Sequence, residues 1–309
     1  IEVTALSHGA DSTKAIYYAF SANGAIAITK YVAAVITGSG SMLAEAVHST
    51  ADCGNQLLLL LGMKRSKRPA SDRFPLGYGK ETYFWSFIVA LLLFSMGGLF
   101  SIYEGWHKLH EPEPLSYPML ALGVLLFGII VEGLSFAGCL REINKIRAGQ
   151  NLWRWFRSTR EVELLVIFGE DLAALLGLSF AFLAVLAAWL TGDPMYDALG
   201  SIGIGVLLIA VAFFISVEVK SLLIGQGVSP DVHTDMLDFL NQQATIKQIY
   251  NLRTLHMGAD VMVAIKAELT EQQDAMKLIA DINKVEAAFR VRFPAVAWCF
   301  FEPDNTDDD

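Results

Sequence analysis

The sequence from position 42 reads Met42-Leu-Ala-Glu-Ala-Val-His-Ser-Thr-Ala-Asp-Cys-Gly-Asn-Gln56 and continues into the apolar run Leu57–Leu61. His48 and Asp52 are four residues apart, so a helix places both side chains on one face. The apolar run makes a surface helix implausible, and an aspartate at mid-bilayer costs about 2.5–3.5 kcal/mol on an insertion scale. A bound divalent cation would offset that cost, and His with Asp suits Zn²⁺ and its first-row neighbours. The alternative is a buried His–Asp hydrogen bond that only holds helices together.

The composition predicts a polytopic membrane protein. The chain has 309 residues, of which 54% are hydrophobic and only 18% are charged, with a mean hydropathy of +0.44. The net charge of −9 says little, because the acids collect late, in a tail predicted to be solvated. The three cysteines have no C-x-x-C spacing, which argues against a disulfide framework or a zinc ribbon. We expect no nucleic-acid partner.

Six membrane spans are predicted, each near the ~20 residues that a bilayer core requires. They cover approximately 15–37, 42–63, 83–103, 117–140, 162–190 and 195–217. Lysine and arginine crowd the loops after the second and fourth spans, so the positive-inside rule places both termini in the cytoplasm. The first apolar run is a full span rather than a cleavable signal peptide. A start at Ile1 rather than Met is compatible with a missing short leader.

The composition changes at Gly225 to that of a soluble domain. Helices are predicted at 231–243 and 274–292, and strands at 249–255, 261–269 and 295–301. This order, αββαβ, indicates a small α+β, ferredoxin-like domain with its helices on one face of the sheet. The predicted organisation is therefore a transmembrane domain at 1–224 and a soluble domain at 225–309.

Span five carries two adjacent acids, Glu170 and Asp171, in an apolar helix. Neighbouring helical residues point about 100° apart, so at most one can face a given site squarely. We expect at least one of them to join His48 and Asp52, which would give the three or four N/O ligands of a tetrahedral site. The alternatives are a salt bridge to Lys30 or a hydrogen bond to Asn55.

Three further features carry open interpretations. Lys30 could face a partner inside the bundle or extend to the nearer interface. Glu132 in span four could relay protons, although a structural pair with a hydroxyl or amide is preferred. His107 and His110 could form a metal station in an outer loop, although a solvated loop is preferred.

The chain resembles the cation diffusion facilitator family of divalent-metal/proton antiporters along essentially its whole length. The resemblance rests on His48-x-x-x-Asp52, the acids of span five, the segment Leu76-Gly-Tyr-Gly-Lys-Glu81 and the αββαβ order. The stretches around Met42–Ser49 and Tyr83-Phe-Trp-Ser86 look most like the branch of mitochondrial-type zinc transporters and their bacterial relatives. The resemblance implies a four-ligand metal site with two residues from span two and two from span five, and a soluble domain that pairs two protomers.

The sequence departs from the zinc-type pattern of the family. That pattern has a His four residues before the Asp of span five, where this chain has Ile167 before Asp171. Glu170 and Asp171 together could replace the pair, and an oxygen-richer site favours Mn²⁺ or Fe²⁺ more than a two-histidine site would. The site inferred from the resemblance is therefore His48, Asp52, Asp171 and Glu170.

The auxiliary metal sites of some relatives look absent here. Before span three, Phe74 and Tyr78 stand where those relatives have histidines, leaving Asp72. In the soluble domain the candidates are His233, His256 and Glu302, and Lys266 stands where a ligand might have been; surface histidines are the preferred interpretation.

The predicted function is efflux of a divalent transition metal by metal/proton antiport with alternating access. Zn²⁺ is the first choice, with Mn²⁺, Fe²⁺ and Co²⁺ as alternatives, and the predicted partners are the metal, protons, the bilayer and a second copy of the chain. The predicted location is a bacterial inner membrane or, alternatively, an organelle membrane. One rival is a non-transporting regulatory or scaffold protein of the same fold. An intramembrane hydrolase is disfavoured because the chain has no His-Glu-x-x-His, so no enzymatic activity is expected.

Overall fold

The computed structural model describes residues 11–112, 117–147, 149–159, 161–271 and 274–307. Residues 1–10 and the last two residues of the acidic tail, which was predicted to be solvated, lie outside these residues. The helices are α1 Asp11–Thr37, α2 Gly40–Ser66, α3 Glu81–His110, α4 Pro118–Ile146, α5 Leu152–Ser158, α6 Val162–Thr191, α7 Met195–Ile224, α8 Pro230–Asn241 and α9 Ala275–Arg292. The strands are β1 Ile246–Met257, β2 Asp260–Leu269 and β3 Val296–Pro303.

Within the described residues, four helices are long and apolar enough to cross a membrane: α3, α4, α6 and α7, with mean hydropathies of 2.0 to 2.6. The Asn23–Thr37 part of α1 is a shorter apolar helix. The helix α2 is 27 residues long, but its first half carries Glu45, His48 and Asp52, which lower its hydropathy. Four of the six predicted spans are therefore present as apolar helices of sufficient length, whereas α1 and α2 are not among them within the described residues.

Glycines of α7 allow this helix to pack closely on two neighbours. A Cβ at Gly200 would lie 2.2 Å from the Cβ of Ala184 in α6, and one at Gly205 would lie 2.6 Å from the backbone oxygen of Gly98 in α3. Small residues at such contacts are the usual means of close helix packing in membranes. Close contacts on both sides place α7 against α3 and α6.

The short helix α5 lies in the basic loop after span four and was not predicted. Its sequence, Leu152-Trp-Arg-Trp-Phe-Arg-Ser158, alternates aromatic and basic residues too briefly for a periodic signal. Trp155 and Phe156 are buried, and the Trp155 ring contacts the Phe168 ring edge-on at 5.9 Å between centroids. The aromatic side chains therefore fix this helix against α6.

The chain divides into two compact units, and the second contains Lys64–Tyr83 together with the residues from Lys220 onward. Its three-stranded sheet has the order β1-β2-β3. The central strand β2 pairs with β1 in antiparallel orientation and with β3 in parallel orientation. One face of the sheet packs against α8 and α9 around Leu240, Val263 and Phe289, each 0% exposed. The predicted αββαβ order is confirmed.

The Leu76–Glu81 segment, one of the stretches that carry the family resemblance, packs against the β1–β2 turn within this second unit. A Cβ at Gly79 would overlap the backbone oxygen of Met257, so only glycine fits at this position. The Tyr83 hydroxyl donates to the Gly258 oxygen at 3.2 Å and accepts from the Gly258 N–H at 3.1 Å. Gly258 has a φ of +84°, which a residue with a side chain adopts with strain. The motif therefore has a packing role here.

Candidate metal site

A stripe of polar side chains runs along one face of α2. Glu45, His48, Asp52 and Asn55 follow the spacing i, i+3, i+7, i+10, which is one helical face. Glu45, His48 and Asn55 are 0% exposed, and the Asp52 side chain is 13% exposed. Four polar side chains on one buried face make this face the candidate functional one.

His48 is close to Asp52 but not hydrogen-bonded to it. The distance from Nδ1 of His48 to Oδ1 of Asp52 is 3.6 Å, which is beyond hydrogen-bonding length. Among the described residues, neither ring nitrogen of His48 has a hydrogen-bond partner, although both are buried. The alternative of a hydrogen-bonded His–Asp pair is therefore not realised. Both ring nitrogens remain without a partner among the described residues, and in the neutral imidazole one of them carries the lone pair that a cation would bind.

The imidazole of His48 lies beside a π-helical turn in α3. Residues Leu93–Leu99 form this turn, and a Cβ at Gly97 would lie 3.8 Å from Nδ1 of His48. Single π-helical turns within α-helices are rare and occur frequently at functional sites. Nothing in the sequence reading indicated this turn; the pair Gly97-Gly98 is its only local signal.

The two acids of span five point to different neighbours, as their 100° separation requires. Asn55 of α2 donates from Nδ2 to Oε1 of Glu170 at 2.5 Å, and Glu170 is 7% exposed. Asp171 accepts a hydrogen bond from the Ser135 hydroxyl of α4 at 3.3 Å. The structure thus brings Glu170 to the polar face of α2 and turns Asp171 towards α4. Of the two alternatives for these acids, it contains the hydrogen bond to Asn55.

The four predicted ligands are neighbours without forming a closed ligand set. In the part of the chain that the structure describes, no group of three or more His, Cys, Asp or Glu side chains is arranged to hold a metal ion. Asp52 nevertheless lies within electrostatic range of Glu170 and of Glu132 in α4. The four-ligand site stays a prediction, and its predicted ligands come from α2 and α6.

Lys30 has a partner that the sequence reading missed, which is Glu45. The Lys30 Nζ lies 3.3 Å from Oε2 of Glu45 and donates to the Ser49 hydroxyl at 2.7 Å, and both charged side chains are buried. Of the alternatives for Lys30, the inward-facing one is confirmed. The i, i+3 spacing of Glu45 and His48, which places Glu45 on the same helical face, was the available signal.

The start of α2 is held by a buried carboxylate from another helix. Asp197 of α7 accepts from the Ser39 hydroxyl at 2.8 Å and from the Gly40 N–H at 2.7 Å, and it is 3% exposed. Lys108 of α3 donates to the Gly38 oxygen of the same turn. A negative charge at a helix N-terminus is stabilising, so Asp197 fixes where the polar face of α2 begins. Asp197 was also missed, because such a cap acts across 157 residues of sequence.

The remaining candidates are dispersed. His107 and His110 lie in the last turns of α3, not in a loop, because the helix extends to His110. His107 lies 3.7 Å from Glu111, and the side chain of His110 contacts the backbone oxygen of Trp106 at 2.9 Å. In the second unit, His233 contacts the Leu252 oxygen at 3.1 Å, and Lys266 pairs with Asp304 at 3.2 Å.

The chain is similar to known proteins along most of its length. A family model described as the cation efflux transmembrane domain matches residues 16–224. The chain is 32% identical over 288 residues to the protein named proton-coupled zinc antiporter SLC30A9, mitochondrial, of Xenopus laevis, covering 89% of this chain and 51% of that protein. It is 27% identical over 280 residues to the magnetosome protein MamB of Magnetospira sp. (strain QH-2), covering 88% and 89%. It is 24% identical over 262 residues to the cation-efflux pump FieF of Yersinia pestis (strain Pestoides F), covering 84% and 81%.

The described part of the chain has the long apolar helices of an integral membrane protein, and α2 adds a buried polar face to them. The chain belongs to the cation efflux family, so the predicted family is confirmed. Members of this family transport divalent metal cations. The chain spans about half the length of the SLC30A9 antiporters that it matches.

Proposed function

We propose that this protein exports a divalent transition metal, with Zn²⁺ as the first choice, from the cytoplasm in exchange for protons. The observation that carries the proposal is the buried polar face of α2, where both ring nitrogens of His48 lack a partner among the described residues and Asp52 lies 3.6 Å away. The name of the Xenopus relative, a proton-coupled zinc antiporter, supports zinc and proton coupling.

The exchange follows from the ligand chemistry. A metal binds neutral imidazole and ionised carboxylates, whereas a proton binds the same atoms and displaces the metal. Alternation of the site between the two sides of the membrane would then couple metal export to proton entry. His48 and Asp52 supply one half of the site, and Glu170 with Asp171 supplies the other after α6 moves relative to α2 and α4.

The finer organisation is part of the same proposal. The six spans are α1, α2, α3, α4, α6 and α7, with a transmembrane domain at 1–224, a cytoplasmic dimerisation domain at 225–309 and both termini in the cytoplasm. The basic residues after α2 and α4 support this orientation. We propose transport without enzymatic activity, in a bacterial inner membrane or an organelle membrane.

The identity of the transported metal depends on the donor atoms of the proposed site. One imidazole with three carboxylates is a harder donor set than the two-histidine set of the zinc-type pattern, which keeps Mn²⁺, Fe²⁺ and Co²⁺ as alternative substrates. A non-transporting scaffold or regulatory protein of the same fold is the second candidate. The hydrogen bond between Asn55 and Glu170 favours it, because this contact occupies one oxygen of a predicted ligand.

The test is metal uptake into proteoliposomes with an imposed proton gradient, comparing Zn²⁺, Mn²⁺, Fe²⁺ and Co²⁺. We expect gradient-driven uptake of one metal that is lost in His48→Ala. His107→Ala, which removes an exposed imidazole instead of a buried one, is the matched control and should retain uptake. Glu170→Ala and Asp171→Ala, tested separately, identify the span-five ligand. Uptake of no metal by folded wild-type protein would establish the regulatory alternative.

A further inference from the structure

One buried oxygen in the bundle has no role in the site described above. Glu45 is 0% exposed, and its Oε2 pairs with Lys30. Its other oxygen, Oε1, is buried without a hydrogen-bond partner among the described residues. An unsatisfied buried carboxylate oxygen is unfavourable, and native proteins keep such groups where an ion, a water molecule or a function accounts for them.

The helix opposite Glu45 leaves space for this oxygen. Gly177 of α6 faces it, and a Cβ at Gly177 would lie only 2.5 Å from Oε1. Gly177 follows Glu170 by seven residues, so the two lie on the same face of α6. The interface between α2 and α6 therefore has one polar level at Asn55–Glu170 and another at Glu45–Gly177. His48 and Asp52 lie between these levels in the sequence of α2.

Lys30 makes an ionised carboxylate tolerable at this depth. Its ammonium group lies 3.3 Å from Oε2 and is also bound to Ser49, so it holds Glu45 in one orientation. An opposite charge at this distance offsets part of the free-energy cost of removing a carboxylate from water. The pair leaves one carboxylate oxygen directed towards the interface of α2 and α6.

We propose that Oε1 of Glu45 is a further contact for the transported divalent cation. The cation meets it between the His48–Asp52 pair and the end of the bundle where α2 begins. Lys30 is the positioning residue, because it holds Glu45 through the other oxygen. A carboxylate oxygen is a suitable transient ligand for a divalent first-row metal. This inference rests on the proposed function.

Because Oε1 of Glu45 lies towards one end of the bundle, its loss should affect metal transport from one side of the membrane only. Metal transport is measured in right-side-out and inside-out membrane vesicles, with Glu45→Gln removing the charge while keeping the shape. We expect the half-saturating metal concentration to rise about tenfold when metal is presented on the side where α2 begins, and to stay unchanged from the other side. A rise of about tenfold is the effect expected from the loss of one charged contact. A merely structural role would lower the maximal rate equally from both sides, and that result would overturn the proposal.

A second variant keeps both charged groups of the ion pair. Gly177→Ala fills the space beside Oε1, and Gly133→Ala is its control, because a Cβ there meets nothing within 4 Å. We expect Gly177→Ala to reproduce the one-sided rise and Gly133→Ala to match wild type. If wild type carries no metal from either side, the proposed function fails. If wild type carries metal and both Glu45→Gln and Gly177→Ala behave as Gly133→Ala does, only this inference fails.

Discussion

The polar face of α2 and the core of the αββαβ unit bury opposite kinds of side chain. The core is apolar, with Leu240, Val263 and Phe289 fully buried between the sheet and its helices. The α2 face buries Glu45, His48 and Asn55 in place of such residues, and several of their polar atoms lack a partner among the described residues. Apolar burial stabilises a fold, whereas buried polar atoms without partners reduce stability. The difference separates a region that stabilises the fold from the region for which we propose metal binding.

The largest effect should come from an isosteric change on the polar face. Asp52→Asn keeps the shape of the side chain and removes its charge, so we expect transport to fall by more than about a hundredfold, since even outer partners of metal ligands contribute about 10–100-fold. Thermal unfolding should change little, because Oδ1 of Asp52 has no hydrogen-bond partner among the described residues. The measurements are proteoliposome uptake and the melting temperature. Unchanged uptake would remove Asp52 from the site.

The reverse result is expected in the apolar core. Phe289→Ala removes a fully buried ring and should lower the free energy of unfolding of that unit by about 3–5 kcal/mol. Hydrogen exchange of β1, β2 and β3 in the intact protein reports the change locally. Val291→Ala, 82% exposed on the same helix, is the control and should exchange as wild type does. Equal protection in the two variants would contradict the assignment of the core.

A smaller loss is expected at the start of α2. Asp197→Ala leaves the Ser39 hydroxyl and the Gly40 N–H without their acceptor, which should cost about 1–3 kcal/mol locally. Hydrogen exchange should therefore accelerate in the first turn of α2. Asp193→Ala is the matched control, because Asp193 accepts from the Met195 N–H at the start of α7. If both variants leave the first turn of α2 equally protected, Asp197 does not cap it.

The two regions also differ in what the sequence could predict. Strict alternation from Val261 to Leu269 predicted β2 to within one residue of its observed start, because apolar burial leaves a periodic pattern. The pair His48 and Asp52 was predicted as neighbours because i, i+4 spacing is local to a helix. Contacts between distant segments could not be predicted from local spacing. The ion pair of Lys30 with Glu45 and the hydrogen bond from Gly40 to Asp197 were both missed. The choice between Glu170 and Asp171 needed the rotation of α6, which its apolar sequence does not specify.

The smallest effect is expected from substitutions in a surface ion pair that joins β1 and β2. Lys247 donates to Glu268 at 2.5 Å, and this hydrogen bond lowers the pKa of Glu268 below its usual value. A carboxyl whose pKa is lower in the folded state contributes stability above its unfolded pKa and loses it as the pH falls through the folded value. Glu268→Gln should therefore reduce the melting temperature slightly at pH 7 and leave it unchanged at a pH below both values. Lys247→Met should show the same trend, and the double variant should add nothing further. An equal difference from wild type at both pH values would show that packing, rather than charge, links the two strands at this position.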